Sequence, residues 1–186
     1  MEELSLGPTR PPRRWPWVLL VVVVVLGAGF SVLDSRARDR EVAELLSAVE
    51  VGETAVTYAE RRVAAMVTYA SPALWSSSTP PGARRDLEGF VQDAAGGGAD
   101  RIQGLAAQVA GTDVLPWHRS LVAARDSYAA HLRDRAAYLD RVAEDMLVLY
   151  EGDTTVGSSR ARVHAAFSDA VGAEGREQVQ TLLPLG

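Results

Sequence analysis

The residue types that most often carry out chemistry are sparse in this sequence of 186 residues. It contains three histidines, His118, His131 and His164, and no cysteine. All 19 basic residues are arginine, which excludes Walker A phosphate binding and Schiff-base catalysis because both need a lysine amine. The lack of cysteine excludes disulfides, thiolate metal sites and a lipid anchor attached through a thiol.

The spacing of the remaining candidates indicates neither metal binding nor acyl transfer. A metal site in a helical bundle needs Glu-x-x-His or His-x-x-x-His pairs, and neither spacing occurs. There is also no Gly-x-Ser-x-Gly elbow, and no pair of carboxylates is set apart by its spacing. His131 lies near the edge of an apolar helix face, where we interpret it as a structural boundary histidine. We therefore predict no catalytic, cofactor-binding or metal-ligating residue, no cofactor and no enzymatic activity.

The elements that would position any functional side chain are predicted to be helices. The first predicted helix carries a seven-residue repeat of apolar residues, which forms an a/d seam. Gly52 lies at a d position of this seam, where it either weakens the seam or lets a neighbour approach closely. The pattern should end at Ser71, since the residue before Pro72 is disfavoured in a helix. Its apolar residues recur every seven positions as the a/d seam of one long helix, at Val42, Val49, Val56, Val63 and Ala70, with Leu45, Ala59 and Met66 between them.

Three further helical patterns follow the seam. The second, from Leu87 to Val109, is interrupted by Gly96-Gly97-Gly98, where we expect a kink or break. The third begins near Pro116 and extends to about Tyr150, and the fourth begins near Ser158 or Ser159. No stretch alternates apolar and polar residues with a period of two. The sequence thus predicts an all-α fold, an antiparallel four-helix bundle, with a smaller bundle completed by dimerisation through the valine seam as the alternative.

An uncharged run between Arg14 and Asp34, WPWVLLVVVVVLGAGFSVL, precedes the seam. As a helix it would span roughly 28 Å, close to the hydrocarbon thickness of a bilayer. Trp15 and Trp17 would lie at headgroup level, and Val18 and Leu33 would bound the apolar part of this membrane anchor. Arginines at positions 10, 13 and 14 favour a cytoplasmic N-terminus.

These features predict three segments and leave one alternative open. Residues 1–14 are a disordered cytoplasmic tail, 15–33 a transmembrane signal-anchor helix that runs into the bundle, and 34–186 an extracytoplasmic helical domain. In the alternative, Val18 to Leu26 is the apolar core of a secretory signal peptide cleaved before Phe30. Glycines at 27 and 29 fit a cleavage site less well than alanine, and the uncharged run continues past them, so we favour retention.

Charge and exposed aromatics guide the functional expectation. A net charge of −5 and a pI near 5.2 argue against a nucleic-acid partner. Tyr69, Trp75, Trp117 and His118 are predicted to meet at the membrane-distal end as a partner-binding tip, or merely to cap the core.

We expect a non-enzymatic, single-pass protein of the bacterial cell membrane that works in protein interaction or envelope assembly, with a protein partner or a second copy. The alternative is a sensory bundle for a small molecule that the sequence does not identify. Because about fifteen residues inside the cell are too few for a signalling domain, such a sensor would need a partner.

Overall fold

The computed structural model describes residues 15–151 and 154–184, and within these ranges all regular secondary structure is helical, without a strand. The predicted all-α fold is confirmed. The predicted tail, residues 1–14, lies outside the described residues. The helices are α1 Trp15–Leu74, α2 Pro81–Ala110, α3 Arg119–Glu144, α4 Val148–Glu151, α5 Thr154–Ala170 and α6 Ala173–Leu182.

The chain divides into two compact units after Asp39. In the first unit the uncharged run is helical, as the sequence predicted. Its large apolar side chains between Leu20 and Leu33 are 46–67% exposed. By length and composition, α1 is the one helix of the described chain that is able to cross a membrane, and none of its most apolar stretch is buried.

The second unit, Arg40–Gly186, is an antiparallel bundle. Helix α2 packs on α3, α3 on α5, and α5 on α6. Helices α1 and α3 run in the same direction, since Glu41, at the start of the part of α1 in this unit, contacts His118 just before α3, and Glu60 contacts Arg135 further along both helices. Helix α2 connects them and therefore runs the opposite way, as does α5. The topology is up-down-up-down, with α6 as a short addition.

The heptad seam of α1 forms one wall of the core. Val49, Val56 and Val63 are at most 2% exposed, and Leu45 and Ala59 are buried with them. They belong to a single apolar cluster that continues through α2, α3 and α5 to Leu183. Because one chain already covers the seam, the alternative of a bundle completed by dimerisation through these valines is wrong.

Several helix ends differ from the predicted ones. Helix α1 continues past Ser71 to Leu74, because a proline in the last turn removes only one hydrogen bond and the Ser71 carbonyl still accepts the amide of Trp75 at 3.2 Å. Helix α3 begins only at Arg119, since Leu115 to His118 form a turn in which the amide of His118 donates to the carbonyl of Leu115. The helix ends at Glu144, before the predicted end near Tyr150. Helix α5 begins at Thr154, before the predicted serines.

The predicted break at the triple glycine does not occur, because α2 is continuous from Pro81 to Ala110. Gly98 is buried, and a Cβ atom there would lie 3.0 Å from the Cβ of Ala59 and 3.2 Å from a methyl carbon of Leu139. The absent side chain allows α1, α2 and α3 to approach closely. Packing on both sides therefore offsets the low helix propensity of glycine.

Candidate functional site

A cluster of polar side chains crosses the middle of the bundle core. Tyr128 on α3 is fully buried, and its hydroxyl donates to the carbonyl of Val49 on α1 at 3.1 Å. The hydroxyl also lies 3.4 Å from Oε1 of Glu53. Gly52 makes this contact possible, because a Cβ at position 52 would collide with the Tyr128 hydroxyl. Of the two predicted roles for Gly52, the close approach of a neighbour is the one observed.

His131 lies one turn beyond Tyr128 and has no exposed surface. Its Nδ1 atom is 2.7 Å from Oγ of Ser159 on α5, and its Nε2 atom is 3.8 Å from Oε1 of Glu53 without a hydrogen-bond partner in the described chain. Burial, followed by the charges of Arg135 and Arg160, lowers the pKa of His131 to about 4. The imidazole is therefore neutral at pH 7. The prediction of a boundary histidine is wrong, because α5 covers the edge of α3 on which His131 lies.

Two arginines compensate the charge of Glu53, whose side chain is 13% exposed. Nη2 of Arg160 donates to Oε2 of Glu53 at 3.0 Å, while Arg135 pairs with Glu60 at 2.6 Å. Burial raises the pKa of Glu53, and the charges of Arg160 and Arg135 oppose that rise. Burial and the Glu53 carboxylate also raise the pKa of Tyr128, so its hydroxyl keeps its proton and remains a donor.

Ser159 contacts His131, and His131 contacts Glu53, as the serine, histidine and carboxylate of an acyl-transfer triad do. The surroundings of these three residues differ from those of such a triad. Ser159 is 2% exposed and lies inside α5. Backbone amides in a helix interior already donate to carbonyls four residues earlier, so none beside Ser159 is available to bind an oxyanion. The geometry supports the alignment of α1, α3 and α5 by a buried polar network.

A second polar contact lies at the end of the bundle where α1 enters it. Glu41 is 7% exposed and His118 is 6% exposed. Oε2 of Glu41 is 2.6 Å from Nδ1 of His118, and Oε1 accepts the amide of Leu115 at 3.0 Å. One carboxylate thereby fixes the connection between α2 and α3 to the start of the α1 seam.

The four residues predicted to form one partner-binding tip do not meet. Trp117 and His118 lie beside Glu41, whereas Tyr69 lies near the C-terminal end of α1 and Trp75 directly follows that helix. The reason is topological: the connections before and after α2 are separated by its full length of 30 residues, roughly 45 Å. The prediction of a shared end is therefore wrong. Tyr69, Trp75 and Trp117 are each more than half exposed, and His118 is buried.

Of the predicted anchor residues, Leu33 is 67% exposed. Trp15, Trp17 and Val18 belong to α1, but their side chains lie outside the described residues. No group of three or more His, Asp or Glu side chains suited to a metal ion occurs in the part of the chain that the structure describes.

Two open grooves lie beside the polar cluster. One, of about 440 Å³, lies between α1 and α6 and includes Glu53, Tyr58 and Thr181 in its wall. The other, of about 310 Å³, lies between α3 and α5 and is lined by His131, Asp134 and Ser159 together with neighbouring residues. Both therefore touch members of the buried network.

The sequence matches no protein-family model, and neither a curated protein nor a solved structure is similar to it. Sequence reasoning missed Glu41, Glu53, Ser159 and Arg160. The available signal was Gly52, a glycine within the seam, which indicates that a large neighbour occupies the space of its missing side chain.

Proposed function

We propose that the chain is a single-pass membrane protein whose helical bundle lies outside the cytoplasm and acts through protein contacts, without catalysis. One observation carries the proposal: the large apolar side chains from Leu20 to Leu33 are exposed in their unit, while the second unit has a complete core of its own. So long an uninterrupted apolar surface is unfavourable in water and matches the hydrocarbon layer of a bilayer.

Basic residues support the proposed orientation. Three arginines, Arg10, Arg13 and Arg14, precede the apolar run within five residues of its start. On the other side, Arg36, Arg38 and Arg40 alternate with acidic residues. Basic residues close to a span favour the cytoplasmic side, and the arginines before the run lie closer to it than those after it, with Arg14 directly adjacent to Trp15. The bundle would then lie on the side of the membrane away from the cytoplasm.

The end of the bundle far from Glu41 supplies the proposed surface for a protein partner. Tyr69 is 72% exposed and Trp75 is 61% exposed, and both lie near the C-terminal end of α1. Exposed aromatic side chains are enriched at protein interfaces. Anchoring in the membrane raises the local concentration of this surface for partners in the same envelope.

The first experiment tests the anchor. The full chain is expressed in a bacterial host, the membranes are fractionated, and the mature mass, the N-terminal sequence and the protease sensitivity of the bundle from outside are measured. An intact membrane-bound chain with an accessible bundle supports the proposal. A soluble product that begins near Phe30 would instead identify a cleaved signal peptide and a secreted bundle.

The second experiment tests the partner surface. A photo-crosslinking residue is placed at Trp75 and, as a control, at the exposed position Asp100 on α2, and the cells are irradiated. Adducts of defined mass that form from position 75 and not from position 100 support a partner at this end. Equal patterns from both positions would contradict it.

A ligand-binding, sensory bundle is the second candidate function. It is favoured by the groove of about 440 Å³ between α1 and α6, because Glu53 belongs both to its wall and to the buried network. A polar molecule in the groove would contact the carboxylate that aligns three helices. Binding would be measured as a rise in melting temperature of the full chain on screening small cationic and polar metabolites, and it should be lost in E53Q.

A further inference from the structure

The connection between α2 and α3 is held more firmly than an ordinary surface loop. Oε1 of Glu41 accepts the amide of Leu115, and its Oε2 contacts the imidazole of His118 at 2.6 Å. The amide of His118 in turn donates to the carbonyl of Leu115 at 2.9 Å. Since Glu41 and His118 are both buried, these contacts are shielded from water, and they tie the turn to α1.

This fixed turn presents an indole to solvent. Trp117 is 57% exposed although the next residue, His118, is buried, and the two rings meet edge to face at 6.1 Å. The preceding Pro116 is also exposed. A large aromatic side chain held outward on a rigid turn is typical of a contact surface.

The length of the chain limits what this indole can reach. Glu41 is eight residues beyond Leu33, the last residue of the uncharged run. Eight residues span roughly 12 Å as a helix and at most about 28 Å when fully extended. If the run crosses a bilayer, the chain therefore keeps Glu41, and the turn that it holds, within this distance of the hydrocarbon layer.

We propose that Trp117 inserts into the lipid headgroup layer on the side of the membrane where the bundle lies, so that the bundle rests on the membrane through this turn. The inference rests on the proposed membrane anchor. Tryptophan favours the headgroup level because its ring is apolar and its N–H group remains hydrated or bonded.

The two exposed tryptophans of the bundle provide the probe and its control. W15F/W17F/W75F retains only Trp117, and W15F/W17F/W117F retains only Trp75, at the end of the bundle far from Glu41. Each full-length variant is reconstituted into vesicles of phosphatidylcholine and phosphatidylglycerol, with or without lipids that carry a nitroxide close to the headgroup. Far-UV circular dichroism confirms that both are folded.

We expect Trp117 to lose most of its fluorescence to the nitroxide lipids and Trp75 to keep its own. If both variants float with the vesicles and Trp117 is not quenched, the headgroup contact is wrong while the anchor remains valid. Equal quenching of the two tryptophans would also overturn the inference, because it would show unspecific adsorption of the bundle. Failure of both variants to float with vesicles would overturn the anchor itself, and the inference with it.

Discussion

Tyr128 and Gly52 form a complementary pair across the bundle. The ring of Tyr128 reaches the backbone of α1 because position 52 has no side chain, and its hydroxyl then satisfies the carbonyl of Val49 within the core. Such a contact specifies the register between two helices as well as stabilising them, since a shift by one turn would leave a buried hydroxyl without a partner.

Replacing this glycine tests the pair directly. Gly52→Ala should lower the free energy of unfolding by about 1–3 kcal/mol, the usual cost of overpacking a core, although alanine favours helix. Chemical denaturation measures the change. In the Y128F background the same substitution should cost less, because the colliding hydroxyl is absent. An equal cost in both backgrounds would contradict the proposed fit.

The buried imidazole of His131 gives the stability of the bundle a defined pH dependence. Its pKa is lowered to about 4 in the folded chain, against an ordinary value of 6.5, so below pH 6.5 the unfolded chain binds a proton that folded His131 does not. Protonation of the unfolded chain therefore lowers the free energy of unfolding by about 3 kcal/mol in total as the pH falls from 6.5 towards 4. Above pH 6.5 the full stability is present. The raised pKa of Glu53 acts in the opposite direction and reduces the net slope.

A variant isolates the histidine from the other titrating groups. The free energy of unfolding is measured in urea between pH 7.5 and 4.5 for the wild type and for H131N, each at several values. We expect the wild type to lose more stability than H131N over this range, since the variant lacks the group that protonates on unfolding. Identical pH profiles would show that His131 does not have the lowered pKa.

At the level of the helices, the triple glycine of α2 combines two different roles. Gly98 faces Ala59 and Leu139 at close range, whereas a Cβ at the exposed Gly97 would meet nothing within 4 Å. Gly97→Ala should therefore stabilise the chain by about 0.5–1 kcal/mol through helix propensity alone. Gly98→Ala should destabilise it, because α1 and α3 must move apart.

Thermal unfolding followed by circular dichroism at 222 nm, the standard helix band, compares the two variants. Both variants replace glycine by alanine, at neighbouring positions. The test is therefore whether the melting temperature rises for Gly97→Ala and falls for Gly98→Ala. If both raise the melting temperature, the contact between α1, α2 and α3 at Gly98 is not tight.

Periodicity within single helices predicts much of this fold, and contacts between helices account for what it misses. The seam from Val49 to Val63 was correctly placed in the core, because a seven-residue repeat fixes which face is apolar whatever covers it. The ion pair of Glu53 with Arg160 joins residues 107 positions apart, a pairing that no local pattern encodes. The helix ends near Pro72 and Pro116 differed because packing and a local turn overrode propensity.

For the whole molecule, the division after Asp39 separates a unit with exposed apolar side chains from a unit that has its own core. The described core runs from Leu45 to Leu183 and lies entirely in the second unit, so that unit meets its own need for burial. The described apolar side chains of the first unit, from Leu20 to Leu33, are not part of this core. A bilayer is the environment that would bury them, which is why the anchor and the bundle are expected to be separable.

Two valines on α1 distinguish a self-contained bundle from a dimer joined through the seam. Val56 is 2% exposed and Val51 is 54% exposed, although both occur in the same helix within five residues. The fragment of residues 40–186 should be a folded monomer in sedimentation velocity experiments. V56D should unfold it, because an unpaired carboxylate would enter the core, whereas V51D should leave both helicity and mass unchanged. If V56D instead remained helical and converted a dimer into a monomer, the seam would be an interface between two chains.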